Sequence, residues 1–103
     1  MAEPMAGGWS PAKPATPKVQ VITQQVKSQL ESQAQQNCSV FRAVEYRSQV
    51  VAGTNYLIKV QCGEGEQEDA HLKVFEALPV SGGQIVLQGY QLGHARSDPL
   101  TPF

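Results

Sequence analysis

Two cysteines and two histidines are the residues of this chain whose chemistry could support catalysis. Cys38 or Cys62 could act as a nucleophile, and His71 or His94 could be the base that such a thiol needs. Cys62, however, falls in phase with apolar residues of a predicted strand, which favours a small buried core residue. Cys38 has no sequence neighbour that would activate its thiol, and both histidines fit ordinary surface or edge positions. The pattern therefore predicts no catalytic residue and no enzyme.

These residue types also do not form a pattern for a metal or a cofactor. Neither cysteine has a Cys or His partner at the spacing of a zinc site. The carboxylates of GEGEQEDA, residues 63–70, crowd a polar loop, which is typical of solvated charge rather than of a calcium site. Glycine-rich phosphate-binding patterns are absent. The sequence predicts neither a metal nor a cofactor.

The cysteines also bear on the compartment. The first residues, MAEPMAGGWSPAKPATP, lack the charged-then-apolar pattern of a secretory signal, and no apolar stretch approaches the roughly 20 residues that span a bilayer. We therefore expect a cytoplasmic protein without a membrane segment. A disulfide between Cys38 and Cys62 is an open alternative, but a reducing cytosol favours two free thiols.

Length and composition predict a single globular domain, residues 1–103. The chain is 41% hydrophobic and 17% charged, as is usual for a folded protein. The net charge is −1, without a run of Lys or Arg, so charge does not attract the chain to nucleic acid or to an acidic membrane. Proline and the Gly7 and Gly8 pair are concentrated near the start, which predicts a flexible N-terminal arm over residues 1–10.

A single amphipathic helix of about five turns is predicted after the arm. Thr16 suits the N-cap, and Pro17 suits the first helical position, where a missing N–H costs nothing. Apolar residues then recur at three- and four-residue spacing at Val19, Ile22, Val26 and Leu30. This stripe fades near Ala34, and Asn37 is the expected stop.

Four strands are predicted in the second part of the chain, over residues 40–48, 54–62, 71–77 and 85–92. Their short connections favour an antiparallel meander with the helix laid across one face. Phe41 falls out of phase in the first strand, so we expect a bulge or bend near Arg42. The tail GHARSDPLTPF, residues 93–103, is predicted to be irregular.

Two of the predicted hairpin tips are apolar, where polar turns would be usual. QVVAG, residues 49–53, carries Val50, Val51 and Ala52 before Gly53, and LPV follows at residues 78–80. One interpretation is that the valines fold back onto the core. The other is that the tips form a binding surface, because exposed apolar residues gathered at one end of a small protein usually do. Both tips and the arm can reach the same end of a meander, where they would form a wedge.

These stretches resemble the stefins, the type 1 cystatins. The resemblance is carried by SQVVAGTNYLIKV at 48–60, PATP at 14–17, HLKVF at 71–75, the Leu78 and Pro79 pair, and GYQ at 89–91, and it covers essentially all 103 residues. It implies an α+β, cystatin-like fold with one long helix packed across a four- to five-stranded antiparallel sheet. The fifth strand would come from the residues just before the helix.

The resemblance also implies a function, namely reversible, tight-binding inhibition of papain-like cysteine proteases such as cathepsins. The arm and both hairpin tips would enter the protease cleft together. The implied protease-binding residues are Pro4, Met5, Ala6, Gly7, Gly8, Gln49, Val50, Val51, Ala52, Gly53, Leu78 and Pro79. Within this set, Gly7 matches the arm glycine of the family. Next to members of this set in sequence, Trp9 and Val80 are places where the chain departs from the usual pattern.

Two other functions remain as alternatives. A monomer is the expected state, but a stefin-like chain can also domain-swap through residues 49–53, which would straighten the tip and leave an interaction protein without a protease target. A cysteine hydrolase that uses Cys38 is the second alternative, and it has the least support from the sequence.

Overall fold

The computed structural model describes residues 8–103 as one five-stranded antiparallel sheet with two helices on one face. Its elements are β1 (Lys13–Pro14), α1 (Pro17–Gln25), α2 (Lys27–Ala34), β2 (Arg42–Val51), β3 (Gly53–Gln61), β4 (Asp69–Glu76) and β5 (Ile85–His94). The strands lie in the order β1-β2-β3-β4-β5, each antiparallel to its neighbours. This confirms the α+β meander, including the fifth strand from the residues before the helix. Neither helix in this part of the chain is long and apolar enough to span a membrane.

The N-terminal end of the helical region begins as predicted. Thr16 is the N-cap of α1, where its Oγ1 accepts a hydrogen bond from the Val19 N–H at 3.2 Å, and Pro17 occupies the first helical position. At the other end, α2 stops at Ala34 because Gln35 adopts a left-handed conformation, φ 56°. The C-cap, Gln35, therefore lies two residues before Asn37, the expected stop.

The single long helix is in fact two consecutive helices. Val26 has φ −101° and ψ 3° between them, and its N–H bonds to the Thr23 carbonyl at 3.2 Å. The Thr23 hydroxyl also donates to the Val19 carbonyl at 2.8 Å, a side-chain bond that tends to bend helices. Val26 is fully buried, so the apolar stripe runs through the junction without interruption. Periodicity alone therefore could not reveal the break.

The main core lies between the helices and the sheet. The apolar stripe of the helices packs against residues from β2 to β5 that include Tyr56, Ile58, Val60, Leu72, Val74 and Leu87. In β2 the register shifts between Ala43 and Glu45, close to the bulge expected near Arg42, and Phe41 is buried beside it. Cys62 is buried as expected, and so are Tyr56, Ile58 and Val60, the apolar residues with which it is in phase.

The opposite, back face of the sheet is covered by the C-terminal tail. Leu57 and Leu100 are buried but lie outside the main core. The ammonium group of Lys59, also buried, donates to the Arg96 carbonyl at 2.6 Å and pairs with Glu45 at 3.2 Å. The tail is thus packed against the back face of the sheet. It is irregular from residue 95 onward, whereas Gly93 and His94 extend β5.

The prediction that His71 is a surface or edge histidine was wrong. Its side chain is only 1% exposed, and its ring stacks on that of His94 with 3.7 Å between ring centroids. His71 does lie on the strand face that points away from the helices, as its alternation with Leu72 predicts. That face is covered by the tail, which the alternating pattern of β4 alone does not show.

The prediction of two free thiols was also wrong, because Cys38 and Cys62 form a disulfide with 4.7 Å between their Cα atoms. The segment that leads from α2 into β2 runs beside the end of β3, where the Val40 N–H bonds to the Cys62 carbonyl at 3.2 Å. The earlier expectation came from the compartment, whereas this proximity comes from the chain path.

Candidate functional site

Three segments of the described chain meet at one end of the sheet. We call residues 49–53 the first tip, residues 78–80 the second tip, and residues 8–10 the arm base, and all three together the wedge. The tips are neighbours because Thr54, just after the first tip, pairs with Glu76, just before the second. The arm base joins them because Trp9 pairs with Gln49 across an isolated antiparallel bridge.

The first tip presents its apolar side chains to solvent. Val50 is 70% exposed and Val51 is 41% exposed, and Ala52 at the apex is also exposed. The interpretation in which these valines fold back onto the core was therefore wrong. The tip is held in register by its own strands, where the Asn55 side-chain amide donates to the Gln49 side-chain oxygen at 2.8 Å.

Gly53 closes the first tip at a point where the tip lies directly against the end of β4. Its φ is +122°, a conformation that side chains rarely adopt. A Cβ at this position would lie 2.6 Å from the Glu76 carbonyl oxygen and 2.7 Å from Cζ of Phe75. Glycine is therefore required both by the backbone conformation and by the space available.

The second tip overlaps a short 3₁₀ turn, Pro79–Ser81, and also presents apolar groups. Leu78 is 40% exposed, Val80 is 88% exposed, and Pro79 is exposed. The Leu78 carbonyl accepts hydrogen bonds from the N–H groups of Ser81 at 2.8 Å and Gly83 at 3.0 Å. These bonds fix the turn, so the exposed side chains project from an ordered backbone.

The arm base is anchored to β2 beside the first tip. The Ser10 N–H donates to the Ser48 carbonyl at 2.8 Å, and the Ser10 hydroxyl oxygen accepts from the Ser48 N–H at 2.9 Å. Trp9 is half-buried and Gly8 is exposed. The predicted binding residues Pro4, Met5, Ala6 and Gly7 lie outside the described residues.

One carboxylate links the bases of the two tips. The Tyr56 hydroxyl, from β3, donates to the Glu76 carboxylate at 3.3 Å, and the Lys18 ammonium lies 4.0 Å from the same group. Burial, together with the adjacent Glu76 charge, raises the pKa of Tyr56 to about 12. The phenol therefore stays protonated and remains a donor, which keeps β3 and the end of β4 together beneath the wedge.

The wedge contains contact surface rather than reactive groups. Cys38, the thiol in the hydrolase alternative, is bonded to Cys62 and has no free sulfhydryl. Within residues 8–103, no group of three or more His, Cys, Asp or Glu side chains is arranged to hold a metal ion. His71 and His94 lie together on the back face, away from the tips.

The structure brings together Gly8, both tips and two residues that the sequence did not assign to the site. Ser10 ties the arm base to β2, and Arg47 donates to the Ser10 carbonyl at 2.8 Å. No local signal marks Arg47, because it alternates with Tyr46 as an ordinary polar strand residue would. Ser10 lies in a proline-rich stretch that looks unstructured.

Comparison with known proteins agrees with this geometry. Residues 7–97 match the family model of the cystatin domain. The chain is 48% identical over 97 residues to Cystatin-A of Felis catus, which covers 94% of this chain and 97% of the relative. It is also 48% identical over 100 residues to Stefin-C of Bos taurus, covering 97% of each chain.

A third relative carries an activity in its name. This is the Leukocyte cysteine proteinase inhibitor 1 of Sus scrofa, 45% identical over 101 residues, which covers 98% of this chain and 96% of the relative. The family model and these near full-length identities agree with the five-stranded fold. The chain therefore belongs to the cystatin family and, within it, to the stefins.

Proposed function

We propose that the chain is a reversible, tight-binding inhibitor of papain-like cysteine proteases, cathepsins among them, and not an enzyme. The observation that carries the proposal is the wedge itself, in which two ordered apolar tips and the arm base project side by side. Such a surface is unusual on a small soluble protein unless a partner covers it. The cystatin family and the names of the relatives support a cysteine protease as that partner.

The two tips would supply most of the binding free energy. Val50 and Val51 are β-branched and extend from a hydrogen-bonded hairpin, so little conformational entropy is lost when they are buried. Leu78 and Pro79 would make the second contact. Inserted together, the tips would cover the catalytic cysteine of the protease without offering it a peptide bond to cleave. Protein–protein interfaces of standard size bury about 1,600 Å² in total.

The arm would tune this affinity. Pro4, Met5 and Ala6 would occupy the non-primed subsites, and Gly7 and Gly8 would let the backbone pass close to the reactive sulfur because they lack side chains. Immobilising a rotamer-rich side chain such as that of Met5 costs roughly 0.5–1.5 kcal/mol, so the arm would contribute less than its contact area suggests. The tips would be the common part of the site and the arm the selective part.

The cytoplasmic location predicted from the sequence is also part of the proposal. In that location the Cys38–Cys62 disulfide would be exposed to reduction. Reducing compartments keep most thiols free, so the Cys38–Cys62 bond would persist only in an oxidising environment. The wedge lies at the other end of the β2–β3 hairpin from these cysteines. The proposed inhibition therefore does not depend on the redox state of the chain.

A papain titration tests the proposal. Purified monomer would be added to active papain while hydrolysis of a fluorogenic peptide is followed. We expect activity to be lost at one inhibitor per enzyme and to recover on dilution into substrate. A Val50→Glu variant should inhibit far more weakly, because it would bring an unpaired charge into the cleft. Val21→Glu is the matched control, since Val21 is 57% exposed on α1.

The outcome would separate the proposal from its main alternative. Absence of inhibition by a folded monomer would overturn it and favour an interaction protein. Equal weakening by both valine substitutions would show that the first tip is not the contact. Size-exclusion chromatography alongside the assay would identify any domain-swapped dimer, which should be inactive because the first tip would be straightened.

A further inference from the structure

Arg47 is bonded to both terminal segments of the described chain. Its Nε donates to the Ser10 carbonyl at 2.8 Å, and its Nη1 donates to the Leu100 carbonyl at 2.9 Å. Residues 10 and 100 are far apart in sequence, and one guanidinium group on β2 joins them. A guanidinium has donors in a rigid planar fork, so one side chain can hold two separate acceptors in a fixed relation.

The position of Arg47 explains how it reaches both segments. It pairs with Leu57 in the β2–β3 register and lies two residues before Gln49 of the first tip. Its neighbour Tyr46 packs against the main core on the helix side. Because side chains alternate along a strand, Arg47 projects onto the back face. There it meets the tail, while the arm base runs along the edge of the same strand.

The tail gives Arg47 a fixed support. Leu100 is only 4% exposed, and a Cβ on Gly89 of β5 would lie 3.5 Å from the Phe103 ring. Closer to β5, the Arg96 carbonyl of the tail accepts a hydrogen bond from Lys59 at 2.6 Å. The Leu100 carbonyl is therefore an acceptor held by the packed back face. A donor bound to it is restrained as well.

The arm base is the segment that this restraint serves. Ser10 makes two hydrogen bonds with the backbone of Ser48 and one, through its carbonyl, with Arg47, and its hydroxyl also donates to the Pro11 carbonyl at 3.1 Å. These bonds fix where the chain leaves the sheet toward Trp9, Gly8 and the rest of the arm. Without Arg47 the Ser10 carbonyl would lose its charged partner, and the peptide group that follows Ser10 would be free to tilt.

We propose that Arg47 is a positioning residue, which uses the packed C-terminal tail as a support to fix the direction of the N-terminal arm and so sets the contribution of the arm to protease binding. This inference rests on the proposed function. It extends that function to a residue that contacts no protease itself. It also gives the C-terminal tail a part in binding at the opposite terminus.

The experiment compares two arginine substitutions in two forms of the chain. Arg47→Gln and its matched control Arg42→Gln remove the same charge from the same strand, and Arg42 is exposed. Each is made in the full chain and in a chain without residues 1–7, and dissociation from papain is measured. Arg47→Gln should speed dissociation of the full chain about three- to tenfold and change the shortened chain little. Arg42→Gln should affect neither form.

Two further variants test the two halves of the link. Arg47→Lys can reach one carbonyl but not both, so its dissociation rate should fall between those of wild type and Arg47→Gln. Removing residues 100–103 should speed dissociation as Arg47→Gln does. Combining the two changes should give a dissociation rate no faster than that of either change alone. Thermal unfolding of each variant verifies that it is folded.

A readout without protease keeps this inference separate from the proposed function. Trp9 is the one tryptophan of the sequence, so 5-fluorotryptophan gives a single ¹⁹F resonance at the arm base. Arg47→Gln should shift or narrow that resonance, and Arg42→Gln should not. If neither the wild-type chain nor any variant inhibits papain, the proposed function fails. The ¹⁹F resonance of residue 9 still shows whether Arg47 positions the arm base. An unchanged resonance, or equal acceleration with and without residues 1–7, would overturn the role of Arg47.

Discussion

Gly53 closes the first tip directly against the end of β4, the strand that leads to the second tip. Its φ is +122°, and a Cβ at this position would lie only 2.6 Å from the Glu76 carbonyl oxygen, so there is no room for a side chain. Any substitution must either strain this backbone or push β4 away from the first tip. The relative placement of the tips therefore depends on the absence of a single methyl group.

Replacing Gly53 with alanine should damage both stability and binding. We expect Gly53→Ala to lower the free energy of unfolding by about 2–4 kcal/mol, because positive-φ strain and a backbone clash add together. Gly93→Ala is the control, since Gly93 also has a positive φ, +75°, but a Cβ at this position would have nothing within 4 Å. Urea unfolding and papain titration measure the two effects. Equal losses in both variants would show that the close approach imposes no constraint.

Individual residues show where prediction from the sequence succeeds. The N-cap role of Thr16 and the buried position of Cys62 follow from local pattern and are confirmed. The pattern allows two interpretations of Val50 and Val51, buried against the core or exposed at the tip. The resemblance to stefins favours exposure, and the structure confirms it. The contacts of Arg47 could not be predicted, because both of its partners come from segments without regular patterning.

At the scale of elements, glutamines of the helices close the edges of the sheet. Gln20 accepts from the Ala43 N–H at 2.8 Å and donates to the Phe41 carbonyl at 3.3 Å, ahead of the point where β1 covers β2. Gln29 accepts from the Leu87 N–H of β5 at 2.9 Å. Unpaired edge groups invite pairing with another chain, so these side chains protect both edges. The apolar periodicity of the sequence does not distinguish these glutamines from other residues on the polar face of the helix.

The elements also show why some of the fold could not be predicted. Alternation within a strand identifies two faces but does not show whether a distant segment covers the polar one, and this hid the burial of His71. Apolar spacing stays continuous through Val26, so it hid the break between the helices. The Cys38–Cys62 bond depends on the path between α2 and β2, which composition does not describe.

The Cys38–Cys62 disulfide clamps the base of the first hairpin. The two cysteines are separated by 24 residues, and that interval contains all of β2 and β3. Cross-linking a loop of this length lowers the entropy of the unfolded chain, which corresponds to about 3 kcal/mol of stability. The folded backbone around the cysteines also keeps its own hydrogen bonds, such as Cys62 N–H to the Glu68 carbonyl at 3.0 Å.

Reduction should therefore lower the thermal unfolding temperature but leave the fold and inhibition in place at room temperature. Thermal unfolding with and without dithiothreitol measures the difference. The double variant Cys38→Ser with Cys62→Ser is the control, and its unfolding temperature should not respond to reductant. An unfolding temperature that is the same before and after complete reduction, verified by thiol titration, would contradict the stabilising role.

At the scale of the whole molecule, different segments pack against the two faces of the sheet. The helices cover one face with aliphatic side chains, and the tail covers the other, where polar groups are mixed with Leu57 and Leu100. On that back face Asp69 is bonded to Arg96, and His94 bonds through Nδ1 to Asp98 at 2.8 Å. These polar contacts surround His71, whose ring stacks on that of His94.

His71 lies among these back-face groups but lacks one hydrogen-bond partner. Its Nε2 is buried and has no hydrogen-bond partner. Burial, the adjacent His94 and the positive charge of Lys59 lower the pKa of His71 to about 4, although Asp98 and Asp69 act in the opposite direction. The folded protein therefore holds this ring neutral at pH values where an unfolded chain would already protonate it.

This difference predicts a loss of stability in acid. An unfolded histidine takes up its proton near pH 6.5, whereas folded His71 does so near pH 4. As the pH falls from 6.5 to 4, the unfolded state binds the additional proton, so the free energy of unfolding should drop by about 2–3 kcal/mol. Urea unfolding at half-unit steps between pH 7 and pH 4.5 measures the slope of the free energy of unfolding against pH. This range lies above the pH at which carboxylates ordinarily titrate. His71→Leu, of similar volume, should flatten that slope because it removes the titrating group, and an unchanged slope in this variant would assign the pH dependence to another residue.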